Sequence, residues 1–162
     1  KWIAALSNID AMVAQLLEKL PMGVRFWITA DHGMINVDEK IVMGVDNKLL
    51  EGIATIAGEP RMRHLYLPQD ADLSPRADVI AQWKETLGEK VKLYTREDAI
   101  AEGFFGSQVT LDASERIGDI IAIAQGNLVL LDPDRADKEG AMVGHHGGDS
   151  QRESTVPLLV HS

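Results

Sequence analysis

Asp31 and His32 stand side by side directly after the apolar run Val24-Arg25-Phe26-Trp27-Ile28-Thr29-Ala30, and Gly33-Met34 follow them. A carboxylate and an imidazole together are ordinary ligands for a divalent cation. If the run is a strand, the pair lies at its carboxyl end, where open α/β sheets collect ligands and metals. Neighbouring side chains of an extended chain face opposite sides. The two can share one ion only where the backbone leaves the extended conformation, and Gly33 makes that departure easy. The plain alternative is a turn carrying a solvated Asp31 and an incidental His32.

A second cluster, Gly144-His145-His146-Gly147-Gly148-Asp149, lies far downstream. Its glycines let an imidazole approach other backbone closely; the alternative is an exposed loop with two ordinary histidines. The chain has no cysteine, so disulfides and thiolate ligands are excluded. Any metal must use histidine and carboxylate. Of the five histidines, those at 64 and 161 fall outside the two clusters.

The elements that must position these groups are readable. Trp2, Leu6, Ile9, Val13, Leu16, Leu17 and Leu20 recur at helical steps, and Pro21 and Gly23 end that helix. Residues 24–30 read as a buried strand. Gly44 and Asp46-Asn47 mark a turn within 35–47, and 48–57 is open between strand and short helix. Arg61 to Leu67 reads as a strand closed by Pro68. Ser74-Pro75 opens a helix with Val79, Ile80, Trp83 and Leu87 on one face and Gly88 past its end. Val91 to Tyr94 is a further strand, and Asp98 to Ala101 a helical turn. Ile120 to Ala124 and Leu128 to Leu131 flank Gln125-Gly126-Asn127, the pattern of a hairpin. Asp132 to Gly140 reads as a charged, solvated return linker, and Pro157 to Val160 as a last strand. The organisation expected is α/β: core residues 1–59, an inserted α+β module at 60–132, and core residues 133–162.

Composition narrows the function classes. Asp plus Glu total 25 against 16 Lys plus Arg, a net charge of −9 that disfavours broad binding of nucleic-acid polymers. A small phosphorylated substrate stays compatible, because bound cations reverse the sign locally. No apolar run is long enough to span a membrane. Compartment stays open; the lack of cysteine fits the cytoplasm without excluding export. The chain opens on Lys1, and helical periodicity starts at Trp2 with no cap residue before it. From this we expect a piece of a longer protein.

The stretch Thr29-Ala30-Asp31-His32-Gly33-Met34 after a strand resembles the alkaline-phosphatase-like superfamily of metal-dependent phosphohydrolases, and Gly144-x-His146-Gly147 resembles its later ligand motif. Within it, the nucleotide pyrophosphatase/phosphodiesterase branch is matched by the helix Trp2 to Leu20, by Gly58-Glu59-Pro60-Arg61 and by Glu153-x-x-Val156-Pro157-Leu158-Leu159. The resemblance covers most of the chain and is specific around 29–34 and 144–148. It implies a partial alkaline-phosphatase-like core and two divalent ions, by preference zinc. Asp31 and His32 would serve one ion and His146 the other, with His145 at the variable position. It also implies a threonine or serine nucleophile and further ligands upstream of the opening helix. None of these is in the chain, and Thr29 is read as strand packing. The expectation is a carboxyl-terminal piece of a phosphodiesterase-type hydrolase, inactive alone, its metals absent or partly held, with apolar surface at the opening helix prone to self-association.

Other readings remain beside it. Asp31, His32 and His146 can be drawn as a two-histidine, one-carboxylate iron face in a self-sufficient domain with one metal or no catalysis. A binding module built on 60–132 is a third reading. His64 with Arg61 and Arg63 is either a phosphate-contacting trio or, more simply, a solvated strand edge. Phe104-Phe105 either walls a pocket or anchors the small module.

Overall fold

A computed structural model describes residues 1–69 and 74–161. Along the chain run α1 (Trp2–Leu17), β1 (Phe26–Thr29), β2 (Ile35–Asn36), β3 (Glu39–Val42), β4 (Thr55–Glu59) and β5 (Met62–Tyr66). Then come α2 (Ser74–Leu87), β6 (Val91–Thr95), α3 (Arg96–Ala101), α4 (Leu111–Glu115), β7 (Ile120–Ala124) and β8 (Leu128–Leu131). The last elements are α5 (Ala136–Gly140), β9 (Gly144–His145), α6 (Gln151–Ser154) and β10 (Leu158–His161). The chain forms two compact units, Lys1–Asp31 with Val156–Ser162, and His32–Thr155.

The first unit holds α1 and the antiparallel ribbon of β1 and β10, paired from Phe26↔His161 to Thr29↔Leu158. The apolar period does produce the helix, yet no residue of α1 is buried. Nor is β1 the buried strand its composition suggests: its residues alternate half-buried and exposed, with Trp27 at 59%. One helix and a two-stranded ribbon have too little surface to cover each other's apolar side chains.

The second unit is built on an antiparallel sheet in the order β4-β5-β7-β6. All five residues of β7 are buried, because both faces of the sheet are covered. Ile120, Ala122 and Ala124 join Val79, Trp83 and Leu87 of α2 on one side. Ile121 and Ile123 join Ala99 of α3 and Ile117 on the other. The Trp83 indole N–H is satisfied by the Leu49 carbonyl at 2.9 Å. Thr95 caps α3 by accepting from the Asp98 amide.

Three local readings are corrected. The turn at Gln125-Gly126-Asn127 forms, but β7 and β8 do not pair as a hairpin; β8 pairs in parallel with β3, Glu39↔Leu128 to Val42↔Leu131. Leu-Val-Leu-Leu is apolar on both faces, the pattern of a strand covered on both sides. The segment 133–140 is not a solvated linker: it forms a 3-10 turn and α5, and Glu139 is buried against Arg63 at 2.6 Å. Arg61 and Arg63 lie at no solvated edge, because β5 has a strand on either side and both guanidinia are buried. Among the described residues no helix is long and apolar enough to cross a membrane.

Candidate functional site

Within the second unit, β2 and β9 bring the two histidine-bearing segments together. Their short ladder pairs Ile35 with His145 and Asn36 with Gly144. Beyond it, the rings of His32 and His146 stack with centroids 3.6 Å apart and planes 15° from parallel. Both side chains are half-buried. His32 Nδ1 lies 2.7 Å from the Gly33 carbonyl oxygen. A carbonyl can only accept, so Nδ1 is the donor in this contact.

His145 is a different residue in kind. It is buried in β9, and its Nε2 has no hydrogen-bond partner. Burial pushes its pKa below the ordinary imidazole value, against the opposing pull of Glu139. Successive strand residues face opposite ways, so His146 turns toward His32 while His145 packs inward. Asp31 is exposed and is the last residue of the first unit's opening segment.

A buried ion pair anchors this region; its carboxylate, Glu153, has no site role in the sequence reading, and its guanidinium, Arg61, enters there only in the candidate phosphate-contacting trio. Glu153, on the short α6, is buried and paired with Arg61 through two contacts, Nε to Oε1 at 3.1 Å and Nη2 to Oε2 at 2.9 Å. Burial alone would raise the Glu153 pKa; hydrogen bonds from Arg61, Ser150 and the Gly148 amide outweigh it and hold the carboxyl below its ordinary value. Two signals for the pair are present in the sequence. Arg61, Arg63 and Leu65 alternate along one strand and so share a face. Ser150-x-x-Glu153 has the spacing of a capping box, which marks a helix start and brings its carboxylate back toward the loop.

The remaining candidates are dispersed. His64 Nδ1 accepts from the Gly118 amide at 3.1 Å, and burial lowers its pKa; with Arg61 and Arg63 committed to buried carboxylates it forms no phosphate-contacting trio. Phe105 packs into the sheet's second apolar cluster while Phe104 stays partly exposed, edge-on to Tyr94. His161 is exposed on β10. A cleft of 690 Å³ bordered by Tyr66, Arg76, Arg96 and Asp119 contains neither stacked histidine. Its two arginines are already paired, with Glu97 and Asp119, each at 2.8 Å.

The stacked imidazoles offer two nitrogen donors. Among the described residues no three His, Asp or Glu side chains group as a metal cage. A catalytic zinc takes about three protein ligands, so these residues do not by themselves fit a resident metal.

Comparison with known proteins fixes the family. A family model described as type I phosphodiesterase/nucleotide pyrophosphatase matches residues 1–149. No curated protein matches the chain. Human ectonucleotide pyrophosphatase/phosphodiesterase 5 is similar in structure, with a TM-score of 0.71 at 20% identity over 98% of this chain. The murine protein, as an inactive variant in complex with AMP, gives 0.73 at 17% over 98%. Phosphonoacetate hydrolase from Sinorhizobium meliloti, in complex with phosphonoacetate, gives 0.63 at 22% over 93%. The chain spans 40% of the length of the two mammalian proteins and 38% of the hydrolase. The likeness is one of fold: a mixed α/β chain corresponding to part of an alkaline-phosphatase-like core.

Proposed function

Because the chain belongs to the type I phosphodiesterase/nucleotide pyrophosphatase family, we propose that it is the carboxyl-terminal part of a two-metal hydrolase of phosphoric diesters or pyrophosphates. In this reading residues 1–59 and 133–162 belong to the catalytic core and 60–132 form an inserted module. Asp31 and His32 would serve one divalent ion and His146 the other, zinc by preference. The remaining ligands and a threonine or serine nucleophile come from chain outside these 162 residues. The substrate class is a small phosphorylated molecule; the AMP bound by the murine neighbour's inactive variant makes a nucleotide a reasonable first choice.

The observation that carries the reading is the 3.6 Å stack of His32 on His146. It joins two motifs that are far apart in sequence and that the family resemblance had already singled out. The exposed apolar residues of α1 are what a core element missing its cover would present, and they favour self-association.

The test is a zinc titration of the 162-residue chain followed by NMR of the histidine rings, with hydrolysis of bis-p-nitrophenyl phosphate measured in parallel. Weak zinc binding that perturbs His32 and His146 together, is lost in His32→Ala and weakens in Asp31→Ala, with no hydrolysis, is the expected result. Tight stoichiometric binding would favour the self-sufficient single-metal domain instead. Zinc that leaves both rings unperturbed would overturn the site assignment.

A further inference from the structure

We propose that Glu153 is the positioning residue of the histidine pair, holding both imidazole-bearing loops from one buried side chain and its own carbonyl. The proposal rests on the reading of His32 and His146 as the functional pair, and it names what sets their geometry.

Four donors converge on the Glu153 carboxylate. Arg61 supplies two, at 3.1 and 2.9 Å. The Gly148 amide donates to Oε1 at 2.8 Å and the Ser150 hydroxyl to Oε2 at 2.5 Å. Gly148 and Ser150 belong to the loop that leaves His146, so the carboxylate fixes that loop. The main-chain carbonyl of Glu153 accepts from the Gly33 amide at 2.7 Å. Gly33 follows His32 directly, so the same residue fixes the other loop.

The anchor beneath is rigid. Arg61 Nη1 donates to the carbonyls of Gly126 and Leu128 at 2.9 and 2.7 Å, which ties the guanidinium to the start of β8. Both members of the ion pair have side chains 1% exposed. A charge held in place by this many hydrogen bonds keeps one orientation. The approach of the loops is close enough to demand glycine at two points. A Cβ on Gly33 would lie 1.9 Å from the Arg152 carbonyl oxygen, and one on Gly148 would lie 2.9 Å from Glu153 Oε2. Glu153 acts on the imidazoles through the backbone that carries them, at Gly33 and Gly148. The second buried pair, Arg63 with Glu139, makes an internal control, since it does not bond the loop residues Gly33, Gly148 or Ser150.

The experiment uses the 162-residue chain without metal and reads the histidine ring protons by NMR, assigned with His32→Ala and His146→Ala. Stacked rings shift each other's protons, and the shift vanishes when the stack opens. In Glu153→Gln the His32 and His146 signals are expected to move to solvated values while the β7 amides stay at their folded positions. Ser150→Ala leaves the ion pair intact and should move the same signals the same way by less. Glu139→Gln should leave them in place. Retention of the stacked shifts in a folded Glu153→Gln overturns the proposal. If that variant does not fold, unchanged shifts in Ser150→Ala overturn it; equal loss of the stack in Glu139→Gln does so too. A zinc titration of the wild type separates the two readings: no ring response to zinc, with a Glu153-dependent stack, would sink the metal role and leave the positioning role standing.

Discussion

Two helices of this molecule meet opposite fates, and the more apolar of them, α1, is the exposed one. In α2, Val79, Trp83 and Leu87 are at most 6% exposed, packed on the sheet of the second unit. In α1, Trp2 and Ile3 are each 80% exposed and Met12 70%. The sequence period makes a helix in both cases, since it depends only on neighbours three and four residues away. Burial depends on a partner surface, and the two-stranded ribbon of the first unit does not supply enough. Stability should therefore be concentrated in the second unit, with the first contributing association surface.

The sharpest break of that contrast is a pair of tryptophan truncations followed by urea denaturation. Trp83→Ala empties a fully buried site and leaves the Leu49 carbonyl unpaired, so it should cost about 3–5 kcal/mol. Trp27→Ala, at an exposed ribbon position, should stay within about 1 kcal/mol. Equal losses would show that the two units share one core.

A smaller effect is expected from pH, and it too should report on the second unit. Burial holds the His64 pKa below 6.5 in the folded chain, and the unfolded chain binds the proton more readily. The stability this neutral ring contributes is present above pH 6.5 and is lost as pH falls through the lower folded value. Protonation of Nδ1 also removes the acceptor for the Gly118 amide. Unfolding free energy should fall on acidification below pH 6.5, by no more than about 1.4 kcal/mol per pH unit from one group, and melting temperature should fall with it until the lower folded value is passed. His145 is shifted in the same direction by burial, so His64→Gln should flatten the slope without abolishing it. An unchanged slope would remove His64 from the account.

The smallest stability change belongs to the exposed helix. Leu6→Glu with Ile9→Glu should alter unfolding by roughly 0.5 kcal/mol each or less. The same changes should lower the sedimentation coefficient of any self-associated species. A large destabilisation would mean that α1 is covered in solution.

The legible parts of this fold are those set by local pattern. The periods of α1 and α2, the apolar runs of β1 and β7, and the glycine-marked ends could all be read from consecutive residues. The illegible parts depend on partners distant in the chain. Gln125-Gly126-Asn127 announces a reversal and says nothing of the parallel strand waiting at Glu39–Val42. Arg63 reads as solvated until Glu139, on a helical turn from the charged linker, is brought to 2.6 Å. At the site, the residue types and the preference for His146 over His145 came from motif register, and the structure sets His146 against His32. Glu153 stands in the sequence only as part of an ending motif, because a four-residue helix has no measurable period.

The central stretch of the polypeptide begins and finishes at nearly the same point: the Gly33 amide and the Glu153 carbonyl touch at 2.7 Å. A segment whose ends meet this way can be excised, permuted or grafted with little added cost of ring closure. Exchange of whole middles between distant homologues, leaving the flanking strands in place, is thus open to protein engineers and to recombination alike.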